Sequence, residues 1–280
     1  MSFYKPEEEI FVGASVEKPL TILNANSSTQ HEQHNDGREP ALLAFIESHP
    51  DYNQIKGSPE RILAAIDQYG REKDFLMNVG EHKGEVVRKK ITEHKPKVMI
   101  ELGGYVGYSA ILFGNALKKA GGKKYISLEL SPVFASVSAS LVKLAGLDDI
   151  VEIKIGPCRD SLRALGKQYG DSGLDMLFFD HAKTEYVNDL KLCEELGLVA
   201  RNTVVLADNV ICPGNPAYLK YVRATPSKKQ ERSQHEDSAG RNDYSVGNPQ
   251  LLYDTSIVHA LEPTGQPDGI EISRCFGVEA

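Results

Sequence analysis

The sequence of 280 residues contains no tryptophan, few cysteines and no long apolar run. The four cysteines are far apart and form no paired motif: Cys158, Cys193, Cys212 and Cys275. This spacing argues against a disulfide framework and a zinc site, and it favours a reducing compartment. No apolar run could cross a bilayer, and residues 1–9 lack the basic start and apolar core of a secretory signal. We therefore expect a cytoplasmic protein that does not enter the membrane.

An excess of basic residues is also missing, since the formal net charge is -7 at pH 7. Proteins that bind nucleic acid usually present a basic face, so we expect no nucleic-acid partner. The hydrophobic fraction of 41% is ordinary, and the chain is long enough to bury a full core. These properties favour one globular domain, and we expect a monomer whose partner is a small-molecule substrate.

The central part of the chain alternates between short apolar segments and helical patterns. The predicted strands are 97–102, 124–130, 151–155, 174–180 and 203–208. Such alternation is typical of an α/β fold with a doubly wound, Rossmann-like sheet, mostly parallel and with helices on both faces. The alternating segment 269–276 predicts an antiparallel C-terminal strand.

Two polar segments are expected to lie outside this regular pattern. Residues 1–40 are predicted to form a mobile tail before a single domain over residues 41–280. Residues 225–249 are rich in Ser, Lys, Gln, Asn and Gly, which predicts a disordered surface insertion. This insertion would either form a lid or extend free into solvent.

The turn after the first predicted strand indicates a cofactor site. It reads Glu101-Leu102-Gly103-Gly104-Tyr105-Val106-Gly107-Tyr108-Ser109, so its glycines allow a ligand to approach the backbone. The spacing is not that of the dinucleotide fingerprint, and the Glu101 carboxylate would repel a pyrophosphate but attract a cation. Glu129 ends the second strand, where an acidic side chain suits ribose hydroxyls. Together these residues favour S-adenosylmethionine over NAD, whereas tight strand-to-helix packing alone would also explain the glycines.

Oxygen-bearing side chains follow the fourth and fifth predicted strands. Asp180 ends one, and Asp208 and Asn209 end the other, so the three should meet at one edge of the sheet. Such oxygens suit Mg²⁺, which keeps room for water and substrate, although each aspartate alone could also cap a helix. Lys183 would lie near the cation as a general base, the alternative being an ordinary solvated lysine. His181 is either a second candidate base or, as we favour, a contact to cofactor or backbone.

These motifs resemble those of the metal-dependent catechol O-methyltransferases. The similarity runs from about residue 62 to residue 223 and resumes over 261–277. Besides the glycine turn, it is carried by Met77-Asn78-Val79-Gly80 followed by Lys83-Gly84, Leu174-Asp175-Met176, Asp180-His181-Ala182-Lys183, Leu206-Ala207-Asp208-Asn209-Val210 and Pro213-Gly214. The set is long and ordered, which makes convergence improbable.

The resemblance implies a role for each matching residue. The implied cofactor contacts are Val79, Glu101, Gly103, Tyr105, Ser109, Glu129 and His181. The implied Mg²⁺ ligands are Asp180, Asp208 and Asn209, with Lys183 as catalytic base. The implied substrate contacts are Lys183, Asn209, Glu262, which would hold the second catechol hydroxyl, and Pro213, which would flank the ring.

The lack of tryptophan is where the chain departs from this family. Phe75 and Ala182 stand where the animal enzymes carry tryptophans, and Cys158-Arg159 replaces a small polar pair near the adenine. The expected reaction is Mg²⁺-dependent methyl transfer from S-adenosylmethionine to a catechol hydroxyl. An alternative is a related enzyme acting on larger caffeoyl- or flavonoid-type diols. The complete set of metal and base residues argues against a binding protein without chemistry, and the glycine spacing argues against an NAD-dependent oxidoreductase.

Overall fold

The computed structural model describes residues 36–238 and 245–278, which contain a seven-stranded sheet. Its strands are β1 (Val98–Leu102), β2 (Lys124–Glu129), β3 (Val151–Ile155), β4 (Met176–Phe179), β5 (Val204–Ala207), β6 (Leu251–Leu261) and β7 (Pro267–Val278). The strand order is β3-β2-β1-β4-β5-β7-β6, and β1 to β5 are parallel. Strand β7 runs antiparallel to both β5 and β6. The predicted doubly wound sheet with an antiparallel C-terminal strand is therefore confirmed.

Helices pack on both faces of this sheet. In the described residues they are α1 (Arg38–Glu47), α2 (Tyr52–Ile55), α3 (Pro59–Glu72), α4 (Gly80–His94), α5 (Tyr108–Lys119), α6 (Pro132–Leu144), α7 (Cys158–Tyr169), α8 (Tyr186–Glu195), α9 (Pro216–Val222) and α10 (Pro226–Ser238). Helix α3 shows why such elements begin where they do. The Ser58 hydroxyl accepts a hydrogen bond from the Arg61 N–H at 3.3 Å, and Pro59 occupies the first helical position. No helix in the described ranges is long and apolar enough to span a bilayer.

Successive residues of the central strands enter two different cores. Met99 packs into the core that contains residues of α3 to α6, and Ile100 packs into the core that contains residues of α7 to α9. Both faces of β1 are thus covered by helices. This explains why the parallel strands read as continuous apolar runs in the sequence.

The two polar segments differ from their predictions where the structure describes them. Residues 1–35 of the expected tail lie outside the described residues, but α1 begins at Arg38, inside the range assigned to the tail. The prediction of a disordered insertion is wrong for residues 226–238, which form α10. Lys229 of α10 is 1% exposed, and its Nζ donates to the Leu251 carbonyl oxygen at 3.1 Å. Leu251 begins β6, at the edge of the sheet opposite the carboxyl ends of the parallel strands, so α10 is not a lid over those ends.

Candidate active site at the carboxyl edge of the sheet

The parallel strands end side by side, and this brings the predicted functional segments together. The Asp180 N–H donates to the Leu102 carbonyl oxygen at 2.9 Å, and the Asp208 N–H donates to the Phe179 carbonyl oxygen at 2.9 Å. These bonds extend the β1–β4 and β4–β5 ladders by one residue. The glycine turn and both predicted aspartates therefore share one edge of the sheet.

Gly103 lies where the chain after β1 comes close to the chain after β4. Its φ is +91°, and a Cβ at this position would lie 2.5 Å from the Asp180 carbonyl oxygen. Because that oxygen belongs to the backbone, no side-chain rotation could relieve the clash. A glycine is therefore required where β1 turns past Asp180.

Beside this turn lies a narrow cleft that contains several of the predicted cofactor residues. Its lining residues are Met77, Asn78, Val79, Gly103, Gly104, Tyr105, Tyr108, Ser109 and Asp180. The volume is about 30 Å³, enough for about one or two water molecules. Met77 in this lining is half-exposed, so the cleft lies at the protein surface.

Glu101 is fully buried at the end of β1. Its Oε2 accepts a hydrogen bond from the Ser127 hydroxyl at 2.6 Å, whereas its Oε1 has no donor at normal hydrogen-bond geometry among the described residues, although the Ser109 and Tyr125 hydroxyls lie close by. Burial raises the pKa of Glu101 to about 7, and the hydroxyls of Ser109 and Ser127 oppose this rise. A buried carboxylate oxygen without a partner is unfavourable unless a ligand donates to it. This environment fits a ligand that carries an ammonium group.

Glu129 shapes the glycine turn from the end of β2. Its Oε2 accepts hydrogen bonds from the N–H groups of Tyr105 at 2.8 Å and Gly104 at 3.2 Å. Its Oε1 accepts one from the Ser131 N–H at 2.7 Å. Each carboxylate oxygen has two lone pairs, so further acceptor capacity remains for a ligand hydroxyl.

His181 is held by two neighbours from α8. Its Nε2 lies 2.9 Å from Asp189 Oδ2, and its ring stacks on Tyr186 with centroids 4.9 Å apart. Its Nδ1 is buried without a partner in the described part of the chain. Because Nε2 is already paired with a carboxylate, this arrangement suits a positioned contact residue better than the base.

Asp180, Asp208 and Asn209 lie together as predicted, and their surroundings fit a divalent cation. Asp208 is 1% exposed, and its Oδ1 is buried with no hydrogen-bond partner among the described residues. Burial and repulsion from Asp180 raise the pKa of Asp208 to about 7. A cation between the two carboxylates would relieve both effects.

The Asn209 amide is oriented in the way that a cation requires. Its Nδ2 donates to Glu262 Oε1 and, at 3.0 Å, to Asp268 Oδ2. Both amide hydrogens are therefore directed at carboxylates, which leaves the carbonyl oxygen for an ion. Within the described ranges, no three His, Cys, Asp or Glu side chains form a metal-binding group. The arrangement here instead has two carboxylates and an amide, the donor set expected for Mg²⁺.

Lys183 lies directly beside the predicted cation ligands. Its Nζ donates to Asp180 Oδ1 at 3.0 Å and to the Tyr186 hydroxyl at 2.8 Å. Tyr186 is buried, and its hydroxyl donates to the Phe179 carbonyl oxygen at 2.7 Å. The ammonium group is thus held at the edge of the site, and it is not an ordinary solvated lysine.

Lys83 is a site residue that the sequence analysis did not identify. It lies in α4, is 1% exposed, and donates to Asp208 at 2.7 Å, Glu262 at 2.7 Å and Asp268 at 3.1 Å. Burial alone would lower its pKa, but Asp208 and the other carboxylates outweigh burial and raise it. Lys83 is therefore a permanent cation inside the site. The signal in the sequence was the Lys83-Gly84 pair, which belongs to the motif that carries the family resemblance but to which no role was assigned.

The charges of the whole cluster also fit a divalent cation. It contains four carboxylates and two ammonium groups, those of Asp180, Asp208, Glu262, Asp268, Lys83 and Lys183. With all groups ionised, the cluster has a net charge of two negative units. Glu262 reaches it from the turn between β6 and β7, where the resemblance placed it. Pro213 lies nearby, in the irregular turn Val210–Gly214 after β5.

Comparison with known proteins identifies the family. Residues 61–230 match the O-methyltransferase family, so the chain belongs to it. The catechol O-methyltransferase of Bos taurus is 42% identical over 186 residues, which cover 66% of this chain and 66% of that protein. The enzyme of the same name from Mus musculus is 40% identical over 190 residues, covering 68% and 69%. The resemblance inferred from the sequence is thereby confirmed, and the match spans about two thirds of these relatives.

Solved structures agree on the fold. An O-methyltransferase from Streptomyces achromogenes, solved with S-adenosylmethionine, has a TM-score of 0.54 at 24% identity and covers 77% of this chain and 89% of its own. A methyltransferase from Podospora anserina has a TM-score of 0.54 at 22% identity, covering 90% and 99%. At these identities the likeness concerns the architecture, which is the same Rossmann-like sheet.

Proposed function

We propose that the protein transfers a methyl group from S-adenosylmethionine to one hydroxyl of a catechol, with Mg²⁺ bound by Asp180, Asp208 and Asn209. The observation that carries the proposal is the corner after β5. This corner contains an oxygen of Asp208 that is buried without a partner and the Asn209 amide, whose two hydrogens are already bound. Lys183 lies beside them and donates to Asp180. The similarity to animal catechol O-methyltransferases supports the substrate class.

The two bound groups would supply complementary chemistry. When bound, Mg²⁺ lowers the pKa of the hydroxyls it coordinates, and S-adenosylmethionine offers a methyl group on a sulfonium. Glu101 would bind the cofactor's amino group and Glu129 its ribose, while His181 would be a further cofactor contact. Val79, Gly103, Tyr105 and Ser109 would form the remaining wall around the cofactor.

Lys183 would first release a proton to solvent and then, as a neutral amine, accept the proton of the reacting hydroxyl. Asp180 and the Tyr186 hydroxyl hold its Nζ at 3.0 and 2.8 Å, so the base is positioned before substrate binds. Glu262 would accept a hydrogen bond from the second hydroxyl, and Pro213 would flank the ring. Much of the rate enhancement in such a site comes from alignment of two bound reactants, worth up to about 7–11 kcal/mol.

A second candidate substrate class is the larger caffeoyl- or flavonoid-type diols. Ala182 is exposed, and Phe75 is 49% exposed, at positions where the animal enzymes carry tryptophans. Without an indole at Ala182, the site would offer more room for a substituent on the catechol ring.

A methyl-transfer assay tests the proposal. Labelled S-adenosylmethionine is incubated with catechol, a caffeoyl ester and a flavonoid diol, with EDTA and then with Mg²⁺ restored. We expect methylation of vicinal diols, no methylation of the corresponding monophenols, and loss of activity in EDTA that Mg²⁺ reverses. Activity that survives removal of the metal would refute the metal-centred mechanism.

The proposed base is tested by Lys183→Ala. Loss of a general base typically slows turnover by about 10²–10⁴-fold, and binding of S-adenosylmethionine should persist. Lys167→Ala, an exposed lysine of α7, is the matched control and should keep wild-type turnover. Undiminished methylation by Lys183→Ala would rule out Lys183 as the base.

A further inference from the structure

Asp268 contacts several residues of the site, although the sequence analysis assigned it no role there. It lies near the start of β7, and its side chain is fully buried. Its Oδ1 accepts hydrogen bonds from the N–H groups of Ile211 at 3.2 Å and Cys212 at 2.9 Å. Its Oδ2 accepts from Asn209 Nδ2 at 3.0 Å and from Lys83 Nζ at 3.1 Å. Four donors therefore fill the capacity of this carboxylate.

The Asn209 contact determines which atom of the amide can face an ion. A carboxylate only accepts hydrogen bonds, so Asp268 must face the NH₂ group and the carbonyl oxygen must point elsewhere. Rotation of the amide by half a turn would place two acceptors against each other beside Asp268. It would also present hydrogen atoms to the cation position.

The same carboxylate also holds the backbone that carries Asn209. Asn209 has φ 58° and ψ 35°, a left-handed conformation that is uncommon outside glycine. The N–H groups two and three residues later are bound to Asp268, which ties this turn to β7. Pro213 follows directly, so the proposed substrate wall depends on the same anchor.

Glu262 cannot replace Asp268 in this role. It also accepts a hydrogen bond from Asn209 Nδ2, but its side chain is 19% exposed and lies in the turn between β6 and β7. In the proposed function, Glu262 engages a substrate hydroxyl. Asp268 is buried against Lys83, which balances its charge, and it has no access to substrate.

We propose that Asp268 is a positioning residue that directs the Asn209 carbonyl oxygen toward the cation and fixes the turn leading to Pro213. The inference rests on the proposed metal-dependent function. Partners of metal ligands typically change metal affinity by about 10–100-fold when they are altered. The effect should appear in cation binding itself, before any substrate is present.

The test is titration of the full-length protein with Mn²⁺, followed by electron paramagnetic resonance, without cofactor or catechol. Asp268→Asn keeps the shape but leaves one acceptor atom for donors on both sides, so its NH₂ group must face either Asn209 or the two backbone N–H groups of the following turn, and we expect binding about 10–100-fold weaker than wild type. The matched control is Glu271→Gln. Glu271 is also fully buried in β7, but it binds Arg223 and does not touch the site, so Mn²⁺ binding should be unchanged.

The Asn209→Asp background separates positioning from general damage to the fold. Either oxygen of a carboxylate can face an ion, so its orientation no longer depends on Asp268. The double variant with both Asn209→Asp and Asp268→Asn, called the exchanged protein, again has a donor facing an acceptor, with the two partners exchanged. We expect Asp268→Asn to weaken Mn²⁺ binding less in the Asn209→Asp background than in the wild-type background, and circular dichroism reports folding of each variant.

Two results would overturn the inference while leaving the proposed function intact. One is wild-type Mn²⁺ affinity in Asp268→Asn, and the other is a folded exchanged protein in which Asp268→Asn weakens binding as much as it does in the wild-type background. If the wild-type protein binds no Mn²⁺ and methylates in EDTA, the proposed function itself fails. The Mn²⁺ titrations together with the methylation assay therefore distinguish failure of the inference from failure of the proposed function.

Discussion

The buried Glu101 predicts a specific dependence of stability on pH. In the unfolded chain its pKa is 4.5, and in the folded protein burial raises the pKa to about 7. Between these values the folded state keeps a proton that the unfolded state has released. The contribution of Glu101 to stability is therefore fully present below about pH 4.5 and is lost as the pH rises through about 7.

The size of this effect follows from the gap between the two pKa values. At about 1.4 kcal/mol for each pH unit, the gap corresponds to about 3 kcal/mol. Glu101 is fully buried, so solvent screening does not reduce this figure. In the isosteric variant Glu101→Gln, the Ser127 hydroxyl can still donate its hydrogen bond, but no charge forms as the pH rises.

Urea unfolding of the cofactor-free protein at about pH 5 and about pH 8 measures the difference. Between these two pH values, we expect the free energy of unfolding to fall by about 2–3 kcal/mol more in the wild-type protein than in Glu101→Gln. Glu60→Gln is the control, because Glu60 is mainly exposed and Lys119 lowers its pKa. This variant should lose as much free energy of unfolding between the two pH values as the wild-type protein does. An identical pH dependence in wild type and Glu101→Gln would refute the reasoning.

Two further predictions concern the framework of the site, and both are measured by urea unfolding. Lys83→Met leaves buried carboxylates without their cation and should cost about 3–5 kcal/mol, whereas Lys124→Met breaks a largely solvated ion pair and should cost far less. Equal losses would contradict the structural role of Lys83. Gly103→Ala places a Cβ 2.5 Å from the Asp180 carbonyl oxygen, whereas Gly121→Ala has the same sign of φ but meets nothing within 4 Å. Gly103→Ala should therefore lower the free energy of unfolding by clearly more than the roughly 1–2 kcal/mol that left-handed strain is expected to cost in Gly121→Ala. Similar losses in the two variants would contradict the close approach of Gly103 to Asp180.

Much of the fold was predictable because its signals are local. The parallel strands are covered on both faces, so each appears as a short apolar run, and Ser58-Pro59 marks the start of α3 through its own hydrogen bond. Strand β6 was not predicted. It is the edge strand of the sheet, so its residues are only partly buried and its apolar pattern is weak. The polar composition of α10 likewise hid a helix that is anchored by the buried Lys229.

In the candidate site, too, some features have local signals in the sequence and others do not. Sequence alone determined the residues that follow strand ends, since parallel strands bring Glu101, Asp180 and Asp208 to one edge whatever the details of packing. Only the tertiary structure showed that Lys83 reaches Asp208, Glu262 and Asp268 across separations of 125, 179 and 185 residues. Such contacts depend on how α4 and the β6–β7 turn pack against the sheet, which no local pattern encodes. The orientation of the Asn209 amide was decided in the same way, by two carboxylates that lie far from it in the chain.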